Sequence, residues 1–193
     1  MATRSLRSSW IRATVLGWIV GVPVIVLLVA LAERFGQHRL NTPIGAGMGL
    51  TVGVFQSRVI RARLGGASPW FWSCVVGLAS PFLATDIARA VGVDVPYSLY
   101  AAVICGGLVV GVWQGALLRS SLGRGTSWVA ASVIGWALAS GAVALADFFV
   151  RATSLRGVPG ALVYLGLVAL GGVLLAVSSG FVLVRLLTPQ PTV

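Results

Sequence analysis

Few side chains in this sequence are suited to chemistry. Its 193 residues include one histidine, His38, and two cysteines, Cys74 and Cys105. The cysteines form no CxxC pair and have no histidine neighbour, so the spacing of a metal or redox motif is absent. One imidazole cannot supply a zinc site or a bis-histidine haem site, and no HExxH, GxSxG or P-loop sequence occurs. These residues predict a protein with no enzymatic activity, no metal site and no cofactor.

Three of the four acidic residues lie at the ends of long apolar runs. Helical rotation of about 100° per residue places these three on a similar face, and an arginine follows each within four residues. A ring of carboxylates at a pore mouth is one interpretation, and interfacial ion pairs are the favoured one, since acidic residues at a helix end need no special role. The rim charges singled out are Glu33, Asp86, Asp147, Arg89 and Arg151.

Two carboxamides, Gln56 and Gln114, lie inside apolar runs at corresponding positions, where a third run carries Ser179. A carboxamide in lipid needs a partner, and hydrogen bonds between membrane helices average under about 1 kcal/mol. We expect these groups to bond to a neighbouring helix, with a polar cavity lining as the alternative.

The composition excludes a water-soluble protein. Apolar residues make up 58% of the chain and charged residues 9%, whereas soluble domains carry roughly 25% charged residues. The net charge of +10 comes from fourteen arginines and no lysine. These arginines stand in short groups between apolar runs and not on one basic face, so the expected partner is the lipid bilayer and not nucleic acid.

Six apolar runs are long enough, or nearly so, to cross about 30 Å of hydrocarbon. They cover residues 13–32, 43–60, 69–88, 98–118, 127–149 and 159–184. The first has a basic leader and an A-x-A-like sequence resembling a signal peptide, but it exceeds the usual apolar length and repeats a later pattern, so we expect a retained helix. The prediction is an all-α membrane protein with one integral membrane domain over 1–193.

Arginine counts predict the orientation. With both termini in the cytoplasm, nine arginines lie inside and five outside, while all four acidic residues lie outside. The inner set is Arg4, Arg7, Arg12, Arg58, Arg61, Arg63, Arg119, Arg124 and Arg185; the outer set is Arg34, Arg39, Arg89, Arg151 and Arg156. The expected location is a bacterial inner membrane.

The chain also repeats itself. Shifting residues 49–79 by 58 positions onto 107–137 gives 13 identities in 31 without a gap. A tryptophan with a glycine seven residues later opens each odd-numbered helix, at Trp10, Trp70 and Trp128. This pattern predicts three parallel two-helix repeats, at about 10–60, 69–118 and 127–185, around a pseudo-threefold axis along the membrane normal.

The even-numbered helices carry small residues at every fourth position, which lets helices approach closely in lipid. We expect these stripes to pack helices together, within the bundle or against a partner, and the tryptophans to anchor the membrane interface. The stripe residues are Gly49, Gly53, Gly107, Gly111, Gly115, Gly172, Ala176 and Gly180.

The segments Gly49–Gln56 and Gly107–Gln114, each followed by an arginine and then a tryptophan, resemble bacterial polytopic membrane proteins with repeated G-x-x-x-G-x-x-Q-[W]-x-x-L-R hairpins. The resemblance extends from Trp10 to about Leu183, and the third repeat departs from it by lacking the glutamine. No activity is assigned to that family, so the resemblance implies a fold and no mechanism.

Three functions compete at this point. The favoured hypothesis is a non-catalytic accessory or structural subunit that packs against a larger membrane complex through its Gly/Ala stripes. The alternative is a small-molecule-binding or transport protein, similar in size and helix count to the six-helix substrate-binding subunits of vitamin-uptake systems. A pore along the pseudo-threefold axis is the third. The sequence identifies no ligand.

Overall fold

The chain folds into six α-helices joined by short connections. A computed structural model describes residues 2–65, 68–153 and 157–188, with side chains from residue 5 onward. Arg156 and the Arg4 side chain, both counted in the orientation argument, lie outside the described residues. The helices are α1 (Ala2–Arg34), α2 (Thr42–Leu64), α3 (Ser68–Ala90), α4 (Ser98–Leu122), α5 (Thr126–Thr153) and α6 (Gly157–Leu187).

Five of the six helices are long and apolar enough to cross a membrane, and α2 is the exception. The sequence prediction of six spans is therefore met for five. Helix α2 is rich in glycine and carries Arg58, Arg61 and Arg63 near its end, which lowers its hydropathy. The apolar faces of the other helices mark the chain as a multi-pass helical membrane protein in contact with lipid.

The helices close into a ring. Each packs against the next in chain order, and α6 packs against α1. We call the end that holds Trp10, Trp70 and Trp128 the tryptophan end, and the opposite end, with the connections 35–41 and 91–97, the rim end. Because α1, α3 and α5 are not neighbours in the ring, their side chains can meet only at its centre.

Two of the helices that finish at the tryptophan end have a glycine cap. Gly65 after α2 and Gly123 after α4 adopt φ of 77° and 70°, and their backbone N–H groups donate to the carbonyls of Arg61 and Arg119. Glycine adopts this left-handed conformation without strain, and its N–H group then satisfies a carbonyl at the helix end. Helix α6 ends differently: the Arg124 guanidinium donates to the carbonyls of Leu186 and Thr188, both at 2.9 Å.

Candidate functional site

Three indoles meet at the centre of the tryptophan end. The ring centroids of Trp10, Trp70 and Trp128 lie 5.5–5.9 Å apart in tilted and edge-to-face arrangements. Their exposures are 0%, 1% and 2%. The prediction of interface anchors is therefore wrong, because an anchor must face the headgroup region. These rings instead fill the axis of the bundle and close it at this level.

Each of the three indoles donates a hydrogen bond to an even-numbered helix. Trp70 Nε1 donates to Gln56 Oε1 at 3.3 Å, and Trp128 Nε1 donates to Gln114 Oε1 at 3.1 Å. The acceptors are the two carboxamides that the sequence marked as intramembrane polar groups, and both are buried. The expectation of a bond to a neighbouring helix is met at these two positions, since Gln56 lies on α2 and Trp70 on α3.

The third indole, that of Trp10, donates its hydrogen bond to a serine and not to a glutamine. Trp10 Nε1 donates to Ser179 Oγ at 3.0 Å, across the contact between α1 and α6, and Ser179 Oγ donates to the carbonyl of Leu175 at 2.6 Å. A buried indole N–H needs an acceptor in lipid, where no water replaces it. Ser179 on α6 therefore provides the acceptor for this indole.

The two carboxamides also donate hydrogen bonds to the odd-numbered helices that precede them. Gln56 Nε2 donates to Thr14 Oγ1 at 3.1 Å, and Gln114 Nε2 donates to Cys74 Sγ at 3.1 Å. Thr14 and Cys74 each follow the tryptophan of their own helix by four residues, one turn further along the same face. Each glutamine thus bridges the odd-numbered helices before and after it. We call the two glutamines, together with Thr14, Cys74 and the indoles that donate to them, the polar layer.

The small-residue stripes pack inside the bundle. A Cβ added at Gly49 would lie 2.5 Å from the Cys74 carbonyl oxygen, and one added at Gly107 would lie 2.5 Å from Trp136 Cβ. At Gly172 it would lie 2.6 Å from Trp18 Cγ. Comparably close contacts within the bundle occur at Gly53, Gly111, Gly115 and Gly180, and Ala176 is fully buried. The stripes therefore face the next odd-numbered helix and are not free to pack against another subunit.

The rim acids do not share one environment. Asp86 is buried and accepts hydrogen bonds from the backbone N–H groups of Asn41 and Thr42, at 2.9 and 2.7 Å, and from the Thr42 hydroxyl at 2.6 Å. It also pairs with Arg89 at 3.4 Å. Asp86 therefore caps the first turn of α2 from α3, while Glu33 is exposed. This difference in burial is incompatible with a ring of three equivalent carboxylates.

Asp147 lies close to two phenols. Tyr100 Oη donates to Asp147 Oδ2 at 2.6 Å, linking α4 to α5, and the Tyr164 phenol on α6 lies close enough to be affected by the charge of the same carboxylate. The expected partner Arg151 is exposed and forms no ion pair with Asp147 within the described residues. A phenol–carboxylate cluster, defined as Tyr100, Asp147 and Tyr164, therefore joins three helices near the rim end.

A cavity of about 330 Å³ lies between the polar layer and the rim end. Side chains from all six helices line it, and most of them are apolar or aromatic. Trp18 and Trp136 face each other across the bundle with centroids 5.8 Å apart. Further lining residues include Val22, Met48, Phe82, Tyr100, Val143 and Tyr164. The middle parts of the odd-numbered helices and the early turns of the even-numbered ones thus line a largely apolar space.

One polar side chain in the cavity wall is unpaired. Ser140 is 3% exposed, and its Oγ has no hydrogen-bond partner among the described residues. Most buried hydroxyl groups in proteins are paired, and leaving one unsatisfied costs about 1–3 kcal/mol. The sequence reasoning missed Ser140, Tyr100 and Tyr164. Ser140 follows Trp136 by one helical turn, so its position in an apolar run was the available signal.

Neither a family model, a curated protein nor a solved structure matches this chain.

Proposed function

We propose that this protein binds a small, mostly apolar molecule in the cavity between the polar layer and the rim end. The observation that carries the proposal is the unpaired Ser140 hydroxyl in the wall of a 330 Å³ apolar space. Ligand sites are concave, largely apolar and carry a few placed polar groups, with volumes of about 300–1,000 Å³. The cavity fits this description at the small end of the range.

The lining residues support ligand binding without catalysis. A serine nucleophile needs a base within hydrogen-bond reach, and Ser140 Oγ has no such neighbour in the described part of the chain. A cavity lined by apolar side chains can hold an aromatic molecule by shape alone, as an engineered cavity of about 150 Å³ in another protein holds benzene. The larger volume here accommodates a two-ring compound.

Saturable binding of naphthalene tests the proposal. The full-length protein in phosphatidylcholine nanodiscs is titrated with radiolabelled naphthalene, with empty nanodiscs measuring partition into lipid. We expect saturable binding that Val143→Trp reduces by at least about tenfold, since Val143 lines the cavity and a larger side chain would fill it. An equal loss of signal in both nanodisc preparations, with no saturable component, would refute the proposal.

Leu145→Trp is the matched control for this experiment. Leu145 lies two residues further along α5, is 50% exposed and does not line the cavity. It receives the same indole in a lipid-facing position, so binding should remain at the wild-type level. A similar loss in both variants would mean that the cavity does not hold the naphthalene.

The accessory-subunit hypothesis stays a prediction, but the Gly/Ala stripes on which it depended are not exposed to a partner. Its stripes pack within the bundle, where a Cβ at Gly49 or Gly107 would overlap the next helix. A pore along the axis is also disfavoured, because the indoles of Trp10, Trp70 and Trp128 contact one another there.

We also propose that the bundle consists of three two-helix repeats. The support is the recurrence of one contact: an indole from an odd-numbered helix donates to Gln56, Gln114 or Ser179 on the even-numbered helix that precedes it around the ring. Swapping Ser179→Gln tests this correspondence. We expect the variant to fold, with the new carboxamide accepting from Trp10, as a repeat would require.

We further propose that both termini face the cytoplasm of a bacterial inner membrane, on the support of the arginine distribution. Single cysteines at the exposed positions Ser8 and Gly36, in a Cys105→Ala background, test it. In intact cells a membrane-impermeant maleimide should label the cysteine at position 36 and not the one at position 8. The reverse pattern would invert the topology.

A further inference from the structure

We propose that the molecule held in the cavity has a hydrogen-bond-donating head group, a hydroxyl or a protonated amine, directed to the phenol–carboxylate cluster. This inference rests on the proposed function and adds the chemical class of the ligand. It excludes fatty acids and phosphorylated compounds, whose head groups are anionic. Three features of the cluster, taken in turn, support it.

The first feature is the direction of the hydrogen bond at the cavity wall. Tyr100 Oη donates its one proton to Asp147 Oδ2 at 2.6 Å. A phenol has a single O–H donor, so the lone pairs on the Tyr100 oxygen are what remain for a ligand. Tyr100 is one of the residues that line the cavity, so this oxygen is the acceptor that its phenol can offer to a molecule bound there, and an acceptor selects a donor.

The second feature is the charge behind the phenols. Within the described residues the sole ion pair joins Arg89 to Asp86, so no described arginine lies within 4 Å of the Asp147 carboxylate, and Arg151 acts on the cluster from further away. The carboxylate belongs to α5, the phenol that donates to it belongs to α4, and the nearby Tyr164 phenol belongs to α6. Asp147 is half-buried, and its negative charge repels an anion and attracts an ammonium group.

The third feature is the position of the cluster relative to Ser140. Asp147 follows Ser140 by seven residues on α5, which is about two helical turns or 10 Å. Ser140 lies in the wall closer to Trp136, and its Oγ is unpaired. The cavity therefore has the Ser140 hydroxyl in its wall on the side of Trp136 and the acceptor cluster toward the rim end, with apolar side chains between them. An elongated apolar body with a donor at one end matches this arrangement.

Four compounds with one naphthalene ring system separate the head groups. The probes are naphthalene, 1-naphthylmethanol, 1-naphthylmethylamine and 1-naphthoate, each measured at pH 7 with the full-length protein in phosphatidylcholine nanodiscs. We expect the alcohol and the amine to bind on the order of tenfold more tightly than the carboxylate, a ratio that corresponds to about 1.4 kcal/mol. Equal affinities, or a preference for 1-naphthoate, would overturn the inference.

Asp147→Asn removes the charge that the inference invokes. We expect this variant to lose most of its discrimination between 1-naphthylmethylamine and 1-naphthoate while still binding naphthalene. Asp94→Asn is the matched control, since Asp94 is exposed in the connection before α4 at the same end of the bundle. A change in discrimination of the same size in both variants would show a general surface-charge effect and refute the role of the cluster.

Tyr100→Phe provides a second route if Asp147→Asn does not fold. It removes the acceptor oxygen and keeps the ring, so the preference for 1-naphthylmethanol over naphthalene should fall. The outcomes also separate the two proposals. Saturable naphthalene binding that Val143→Trp blocks, without any head-group preference, would leave the proposed function standing and overturn this inference alone. Absence of saturable binding by all four probes would overturn both.

Discussion

Gln114 accepts a hydrogen bond from the indole of Trp128 and donates one to Cys74, so a single carboxamide on α4 joins α5 to α3. All three side chains are buried. The amide therefore satisfies its own polar atoms and the indole N–H in an environment without water. The same arrangement at Gln56 joins Trp70 on α3 to Thr14 on α1.

We expect this pair to be energetically coupled. Gln114→Leu leaves Trp128 Nε1 without an acceptor, and Trp128→Phe removes the donor and leaves Gln114 Oε1 unpaired. A double-mutant cycle on the free energy of unfolding, measured by reversible denaturation in mixed micelles, should give a coupling of about 0.5–1.5 kcal/mol. A coupling near zero would mean that the 3.1 Å contact contributes no net stability.

Close packing at the stripes predicts a difference between glycines. Gly49→Ala should destabilise the protein by about 1–3 kcal/mol, since the new methyl group would lie 2.5 Å from the Cys74 carbonyl oxygen and 2.8 Å from Val75 Cα. Gly141 is the control, because a Cβ there would have no neighbour within 4 Å. Gly141→Ala should be neutral or stabilise by up to about 1 kcal/mol. Thermal unfolding of both variants checks this, and equal effects would contradict it.

The unpaired Ser140 hydroxyl predicts that removing it does not destabilise the protein. Ser140→Ala removes a buried hydroxyl that has no partner among the described residues. The free energy of unfolding without ligand should rise, by about 1 kcal/mol, or stay unchanged. The Ser120→Ala variant serves as the comparison, since Ser120 is exposed and its hydroxyl donates to the carbonyl of Leu117. A clear loss of stability in Ser140→Ala would indicate that the hydroxyl has a partner after all.

The cap on α2 predicts that Asp86 matters to folding. Asp86→Asn removes the charge that accepts from the N–H groups of Asn41 and Thr42 and pairs with Arg89. Charge-assisted bonds at a helix N-terminus are favourable, so we expect a loss of about 1–2 kcal/mol in the free energy of unfolding. Glu33→Gln at the same end alters an exposed side chain and should change stability by less than about 0.5 kcal/mol. Similar losses in both would argue against the cap.

The sequence by itself determined the fold class and the polar positions. A content of 58% apolar and 9% charged residues excludes a soluble surface. In apolar runs of membrane length, an α-helix satisfies every backbone hydrogen bond within the segment. The spacing of Gln56, Gln114 and Ser179 marked the groups that would need partners. Small residues at every fourth position marked the faces that would pack.

Only the tertiary structure decided which direction those faces and groups take. Trp10, Trp70 and Trp128 could equally have faced lipid headgroups, because helical periodicity fixes a face without saying what lies opposite it. Closure of α6 onto α1 turns that face to the centre, where the three indoles meet. The cavity with Ser140 in its wall is lined by residues from all six helices. The contact of Tyr100 with Asp147 joins residues 47 positions apart. Only the packing of the helices brings such distant residues together.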